Sequence, residues 1–151
     1  MGKDPGTKSQ LSGRGRPNPK GKEDQRMSHI SKIELEVKDL TTLRHACSRL
    51  GLNMLQGKRT FKWYGEEDSP CDHAIRIPGA AYEIGVIKSG NLYELQCDYW
   101  DSAIGKAIGK TGGLLKQAYA VERTKTEARR KGYSIIEKKT DSGVRLHVRV
   151  N

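Results

Sequence analysis

Cysteine is scarce in this chain and unpaired in its pattern. Cys47, Cys71 and Cys97 are an odd number with no C-x-x-C spacing, which argues against a disulfide framework or a zinc knuckle and makes a reducing compartment the expectation. No run approaches the roughly eighteen apolar residues that cross a membrane, and the amino terminus lacks the apolar stretch of a secretory signal. The chain therefore reads as soluble, without a membrane partner. Residues 1–26 hold almost no large apolar side chains, Leu11 excepted. They cannot bury enough surface to offset the entropy of ordering, and read as a disordered basic tail rich in Gly and Pro. Patterned sequence begins at Met27, and residues 27–151 are long enough for a single domain with one core.

Acidic residues are also in short supply. Eighteen Asp and Glu against 28 Lys and Arg leave a net charge of +10. The leader carries seven basic and three acidic residues, and residues 28–151 carry 21 and 15, an excess of +6. Gly105 to Lys131 alone holds eight basic residues against Glu122 and Glu127, so one stretch accounts for the whole excess of the domain. Charge concentrated in this way points to an anionic partner, either nucleic acid or an acidic protein surface.

Apolar periodicity supplies the elements. Ser31 to Val37 alternates Ile33, Leu35 and Val37 with charged residues, the period of a strand with one buried face. Asp39 is placed to cap a helix carrying Leu40, Leu43, Cys47 and Leu50, with Gly51 as its terminator. Extended segments are expected at Arg59–Tyr64 and Ala74–Ile77, separated by the acidic loop Gly65–Pro70. Tyr82–Ile87 and Leu92–Tyr99 form a hairpin across Ser89-Gly90-Asn91, with Tyr93, Leu95, Cys97 and Tyr99 on one face. Leu114, Ala118, Val121 and Ala128 mark a long helix ending at Arg129-Arg130-Lys131-Gly132. Ser134–Lys139 and Val144–Val150 close the chain as a second hairpin. The order implies an α+β fold: a single antiparallel sheet of about five to seven strands with two helices packed on one face.

Met27-Ser28-His29-Ile30-Ser31-Lys32-Ile33 before a strand, then Lys38-Asp39-Leu40 opening a leucine-patterned helix, resembles the hypothetical chloroplast reading frame thirty-five family. Tyr93-Glu94-Leu95, Gln117-Ala118-Tyr119 and Gly143-Val144-Arg145-Leu146 extend the resemblance over residues 27–151. That family is a domain of unknown function found in plastids, cyanobacteria, other bacteria and phages. The resemblance implies no activity, catalytic residue or cofactor. Its members are often encoded beside an AAA-type ATPase and a ferredoxin-like protein, which implies an accessory role in an assembly. The leader, the Glu66-Glu67-Asp68 loop and the basic helix depart from the family pattern. The expected location is the cytoplasm of a bacterium or phage-infected cell, or the plastid of an alga.

Several constellations invite chemistry. Gly13-Arg14-Gly15-Arg16-Pro17 looks like the core of an AT-hook, in which Arg14 and Arg16 would enter the narrow minor groove of A/T-rich DNA; a solvated tail or a generic RNA-binding arm fits it as well. Gly105 to Thr111 approaches a phosphate-cradling loop, but three residues separate Gly105 from Gly109 where four are needed. A flexible linker running through Gly112-Gly113 into the long helix is the plainer reading. Cys71-Asp72-His73, with Cys97-Asp98 or His45, could supply metal ligands, although His45 and Cys47 point to different sides of a helix. No base, orienting partner and oxyanion donor accompany any cysteine.

In the last strand Arg145, His147 and Arg149 form a basic stripe opposite Val144, Leu146, Val148 and Val150. With Lys138 from the neighbouring strand they would make a cationic platform, unless they are an ordinary solvated face. On the long helix, Arg123 and Glu127 are spaced to pair. The first expectation is thus a non-enzymatic binding or adaptor module without metal or cofactor. It would contact its partner through Arg14, Arg16, Lys106, Lys110, Lys116, Arg123, Arg129, Arg130, Arg145 and Arg149. A protein-assembly accessory is the second. An enzyme using Asp98, Asp101 or His73 as acid-base groups is the third.

Overall fold

The computed structural model describes residues 30–150, so the tail at 1–26 and the boundary at Met27 lie outside the described residues. Strand β1, Ser31–Val37, buries Ile33 and Val37. Asp39 then stops the strand and starts helix α1, Leu40–Arg49, accepting hydrogen bonds from Thr41 N at 3.1 Å and Thr42 Oγ1 at 2.6 Å. Those bonds satisfy a donor that the first turn cannot. Leu43, Ala46 and Cys47 form the buried stripe of α1, and Gly51, at φ 75°, ends it.

The central sheet has five antiparallel strands in the order β1-β7-β6-β5-β2, where β2 is Asn53–Gln56, β5 His73–Arg76, β6 Glu83–Ser89 and β7 Leu92–Cys97. Cross-strand partners such as Val86 with Leu95 and Ile75 with Ile84 share one face, and a period of two then assigns every other residue of these strands to the same side. Against that face pack α1, a short helix α2 (Ser102–Ile108) and a long helix α3 (Gly113–Arg130). Leu43, Ile104, Ile108 and Leu115 close the main core with Ile33, Ile84, Val86 and Leu95. The opposite face is covered by the loop that carries β3 (Thr60–Phe61) and β4 (Ser69–Pro70), whose Phe61, Trp63 and Cys71 pack on Ala74 and Ile87. The fold is α+β with an antiparallel sheet and its helices on one face, as the sequence pattern implies.

Four details differ from the pattern. The last two strands, β8 (Ser134–Thr140) and β9 (Gly143–Arg149), are a separate two-stranded ribbon and not part of the sheet. The expected linker after Tyr99 contains α2, because Asp101 caps it through Ala103 N at 3.0 Å and Ile104 and Ile108 bury its inner side. Leu114 is 45% exposed while Leu115 is buried, since the stripe of α3 runs Leu115, Ala118, Tyr119 and Glu122. Strand β2 went unread in the sequence, where Asn53-Met54-Leu55-Gln56 has no β-branched residue; its pairing with β5 makes it a strand.

Gly85 is where the two layers meet most closely. A Cβ there would sit 2.3 Å from the Phe61 ring, so the ring lies directly on the strand backbone. Gly85→Ala is expected to cost about 1–3 kcal/mol in urea unfolding through overpacking. Phe61→Leu in the same chain is expected to restore part of that loss; purely additive losses would contradict the assigned contact.

Candidate nucleic-acid interface

The fold separates charge along the chain. Residues 30–101, which carry the sheet and α1, hold nine Lys and Arg against eleven Asp and Glu. Residues 102–150, which carry α2, α3 and the ribbon, hold twelve against four. The second part is therefore +8 beside a first part at −2, and a polyanion would be drawn to the elements of the second part.

Helix α3 distributes its cations over two surfaces. Lys116, Arg123 and Arg130 recur at seven-residue steps and so share one stripe, half-exposed at Lys116 and exposed at the other two. Arg129 is exposed in the last turn, where a cation complements the helix dipole. Glu127 pairs with Arg130 at 3.0 Å rather than with Arg123, which corrects the expected pairing. Lys125 is turned towards the ribbon and reaches Glu122 at 3.5 Å and Glu137 at 3.3 Å. Lys106 on α2 and Lys110 in the 3₁₀ turn Lys110–Gly112 are exposed on the approach to the helix.

The ribbon is the second surface. Its register pairs Ser134 with Arg149, Ile136 with His147 and Lys138 with Arg145, so these side chains share a face. Lys138, Arg145, His147 and Arg149 are all exposed on it, and no carboxylate accompanies them. The other face carries Ile135, Glu137, Val144 and Leu146, all half-buried, and rests on α3; a Cβ on Gly143 in the turn would lie 2.7 Å from Gln117 Nε2. Gln117 and Lys125 point towards the ribbon. By helical geometry they stand about 150° around the axis from Lys116, Arg123 and Arg130. The structure thus brings Arg145 and Arg149 together with Lys138, and Lys116 together with Arg123 and Arg130, but keeps the two groups apart. Arg14 and Arg16 lie outside the described residues.

An ion network fixes the ribbon in place. Arg49 of α1 reaches Glu137 of β8 with both guanidinium nitrogens, one at 2.9 Å, and Glu122 of α3 at 3.3 Å. Sequence reading missed this group; its only signal was Glu137, the one acid within the two strands of the closing hairpin.

The other candidates are occupied by structural roles. Cys47, Cys71 and Cys97 are buried, and burial pushes Cys47 and Cys97 up to about 12, far from a thiolate nucleophile. Cys71 is raised by burial too, and its Sγ lies 3.3 Å from Lys58 O. Asp72 accepts from Lys88 N at 2.7 Å and His73 Nδ1 from Gly57 N at 2.9 Å. His45 is exposed while Cys47 is buried. Among the described residues no three His, Cys, Asp or Glu side chains converge as a metal set. Asp98, itself buried, accepts from Tyr64 N at 2.8 Å and Trp100 N at 2.9 Å. Asp101 accepts from Ala103, Ala81 and Tyr82 N–H groups, and these bonds hold its carboxyl below the usual range. In the loop after α2, Gly109 lies at φ 86° and Thr111 at φ 54°, with helix α2 before it instead of the strand that a phosphate-binding loop requires. Among the described residues no helix is long and apolar enough to cross a membrane.

The network makes an acid-dependent prediction. Hydrogen bonds and charge from Arg49, then Lys125, pull the Glu137 carboxyl from 4.5 down to about 2. Its stabilisation is therefore complete above about pH 4.5 and is lost as pH falls towards 2. Glu137→Gln is expected to cost about 1 kcal/mol at neutral pH, and the gap to the parent should close across that acid window in urea midpoints. A gap that stays constant with pH would contradict the pairing.

No curated protein and no solved structure matches the chain. A family model does, from Ala46 in the last turn of α1 to His147 in β9, across α2, α3 and every strand but β1. The chain belongs to the family of proteins of unknown function DUF1257.

Proposed function

We propose that this protein is a non-enzymatic nucleic-acid-binding module whose α2, α3 and ribbon carry the contact surface. The observation behind this reading is the +8 charge of residues 102–150, together with a ribbon face that bears four basic side chains and no acid. Phosphate contacts dominate such association and need no catalytic constellation. We also place the chain, within DUF1257, in the hypothetical chloroplast reading frame thirty-five family, on the order of the matching segments from Met27 to Leu146.

A second reading, an accessory subunit in an assembly with an AAA-type ATPase or a ferredoxin-like protein, is favoured by a different feature. Tyr64 and Trp100 are 54% and 68% exposed, with ring centroids 5.6 Å apart. Exposed Tyr and Trp are frequent anchors of protein interfaces.

Fluorescence anisotropy of labelled duplex DNA and single-stranded RNA with the full chain tests the first reading. Affinity is expected to fall by about a hundredfold between about 50 and 200 mM salt, as for roughly four phosphate contacts. Arg123→Ala or Arg149→Ala should weaken binding, and Lys88→Ala on β6 should leave it unchanged. No binding at low salt, with a stable complex formed by an acidic protein instead, would reject the first reading in favour of the second.

A further inference from the structure

We propose that the outward face of the β8–β9 ribbon enters the major groove of duplex DNA. This rests on the nucleic-acid reading above and names the element, the groove and the form of the partner. Among the described residues β8 and β9 pair only with each other, so the ribbon is two strands wide with both edges open. Two such strands lie about 4.8 Å apart, and the B-form major groove, about 12 Å wide, admits a two-stranded ribbon with its side chains. Seven residues per strand give about 23 Å of length, enough to follow some six or seven base pairs at about 3.4 Å each.

The chemistry of the face fits that groove better than a plain phosphate surface. Arg145 and Arg149 alternate along β9 and point the same way as Lys138 and His147. A guanidinium matches the O6 and N7 acceptors of guanine with two parallel hydrogen bonds from a rigid planar fork. Ile136, in the middle of this cationic face, is 52% exposed. It is costly in water and useless against phosphate, but it is the kind of side chain that contacts a thymine methyl group.

Acid is kept off the face. Glu137 is turned inward onto Arg49 and Lys125, and Asp141 sits in the turn beyond the last pair of partners. The inner side is seated on α3, so the ribbon is presented as a backed ridge. The major groove of an RNA duplex is too deep and narrow for side chains to read, and a single strand has no groove. The Lys116, Arg123 and Arg130 stripe lies on the far side of α3, so this contact does not use it.

The test uses the full chain and a labelled B-form duplex of mixed sequence. The same duplex methylated at guanine N7, which blocks the major-groove edge, and an RNA duplex of the same sequence are compared with it. Methylation is expected to weaken binding about tenfold, with the RNA duplex weaker still. Arg145→Ala, Arg149→Ala and Ile136→Ser are each expected to lose about tenfold, and Lys88→Ala on β6 should bind like the parent. Unchanged urea midpoints would exclude unfolding of these surface variants as the cause. Equal binding of methylated and unmethylated DNA, or ribbon variants that bind like the parent, would overturn the groove assignment while leaving nucleic-acid binding in place. Failure to bind any nucleic acid at low salt would overturn both.

Discussion

Arg49 is the residue on which the arrangement of the carboxyl-terminal half depends. It leaves the end of α1 and holds one carboxylate from α3 and one from β8, tying three elements that are far apart in sequence. The ribbon needs such a tie. Its inner face is only half-buried at Ile135, Val144 and Leu146, and Val148 is 44% exposed, so apolar burial alone gives it little hold on the helix. A partly enclosed pair with two guanidinium nitrogens on one carboxylate is stronger and more directional than an exposed lysine pair. It also has an electrostatic consequence. The acid within β8 is consumed on the inside, and the outer face of the two strands is left without a carboxylate.

That division of labour recurs through the molecule. In the sheet half, Glu83 is buried but held by Lys58 at 2.9 Å and by Lys62 N at 3.0 Å, and Asp98 and Asp101 are spent on backbone N–H groups that shape the turn into α2. These carboxylates build the scaffold. The twelve cations after residue 101 are mostly exposed and, Lys125 and Arg130 excepted, meet no acid in the ion pairs formed among the described residues. Self-repulsion among them destabilises the domain slightly and is relieved by a polyanion. Under the nucleic-acid reading proposed above, that exposed charge serves as a surface for phosphate contacts.

Much of the fold was legible because local signals agreed with tertiary needs. Asp39 and Gly51 bracket α1, the alternation of β1 matches its burial, and the pairing of Lys138 with Arg145 follows from the Asp141-Ser142-Gly143 turn. What escaped was set by partners distant in sequence. β2 is a strand because β5 lies beside it, and α2 forms around an Asp101 cap and two buried isoleucines despite Gly105 in its interior. Leu114 and Leu115 could not be told apart until the start of α3 fixed the phase of its stripe. The cationic residues of the candidate site were all readable one by one. Their division into two surfaces was not, since it depends on which side of α3 receives the ribbon.

The most direct measurement is hydrogen exchange of the full chain with and without a B-form duplex at low salt. Slowed exchange is expected in β8 and β9, residues 134–149, with β1 at 31–37 unchanged. Slowed exchange confined to the segments around Tyr64 and Trp100, or no change anywhere, would contradict it.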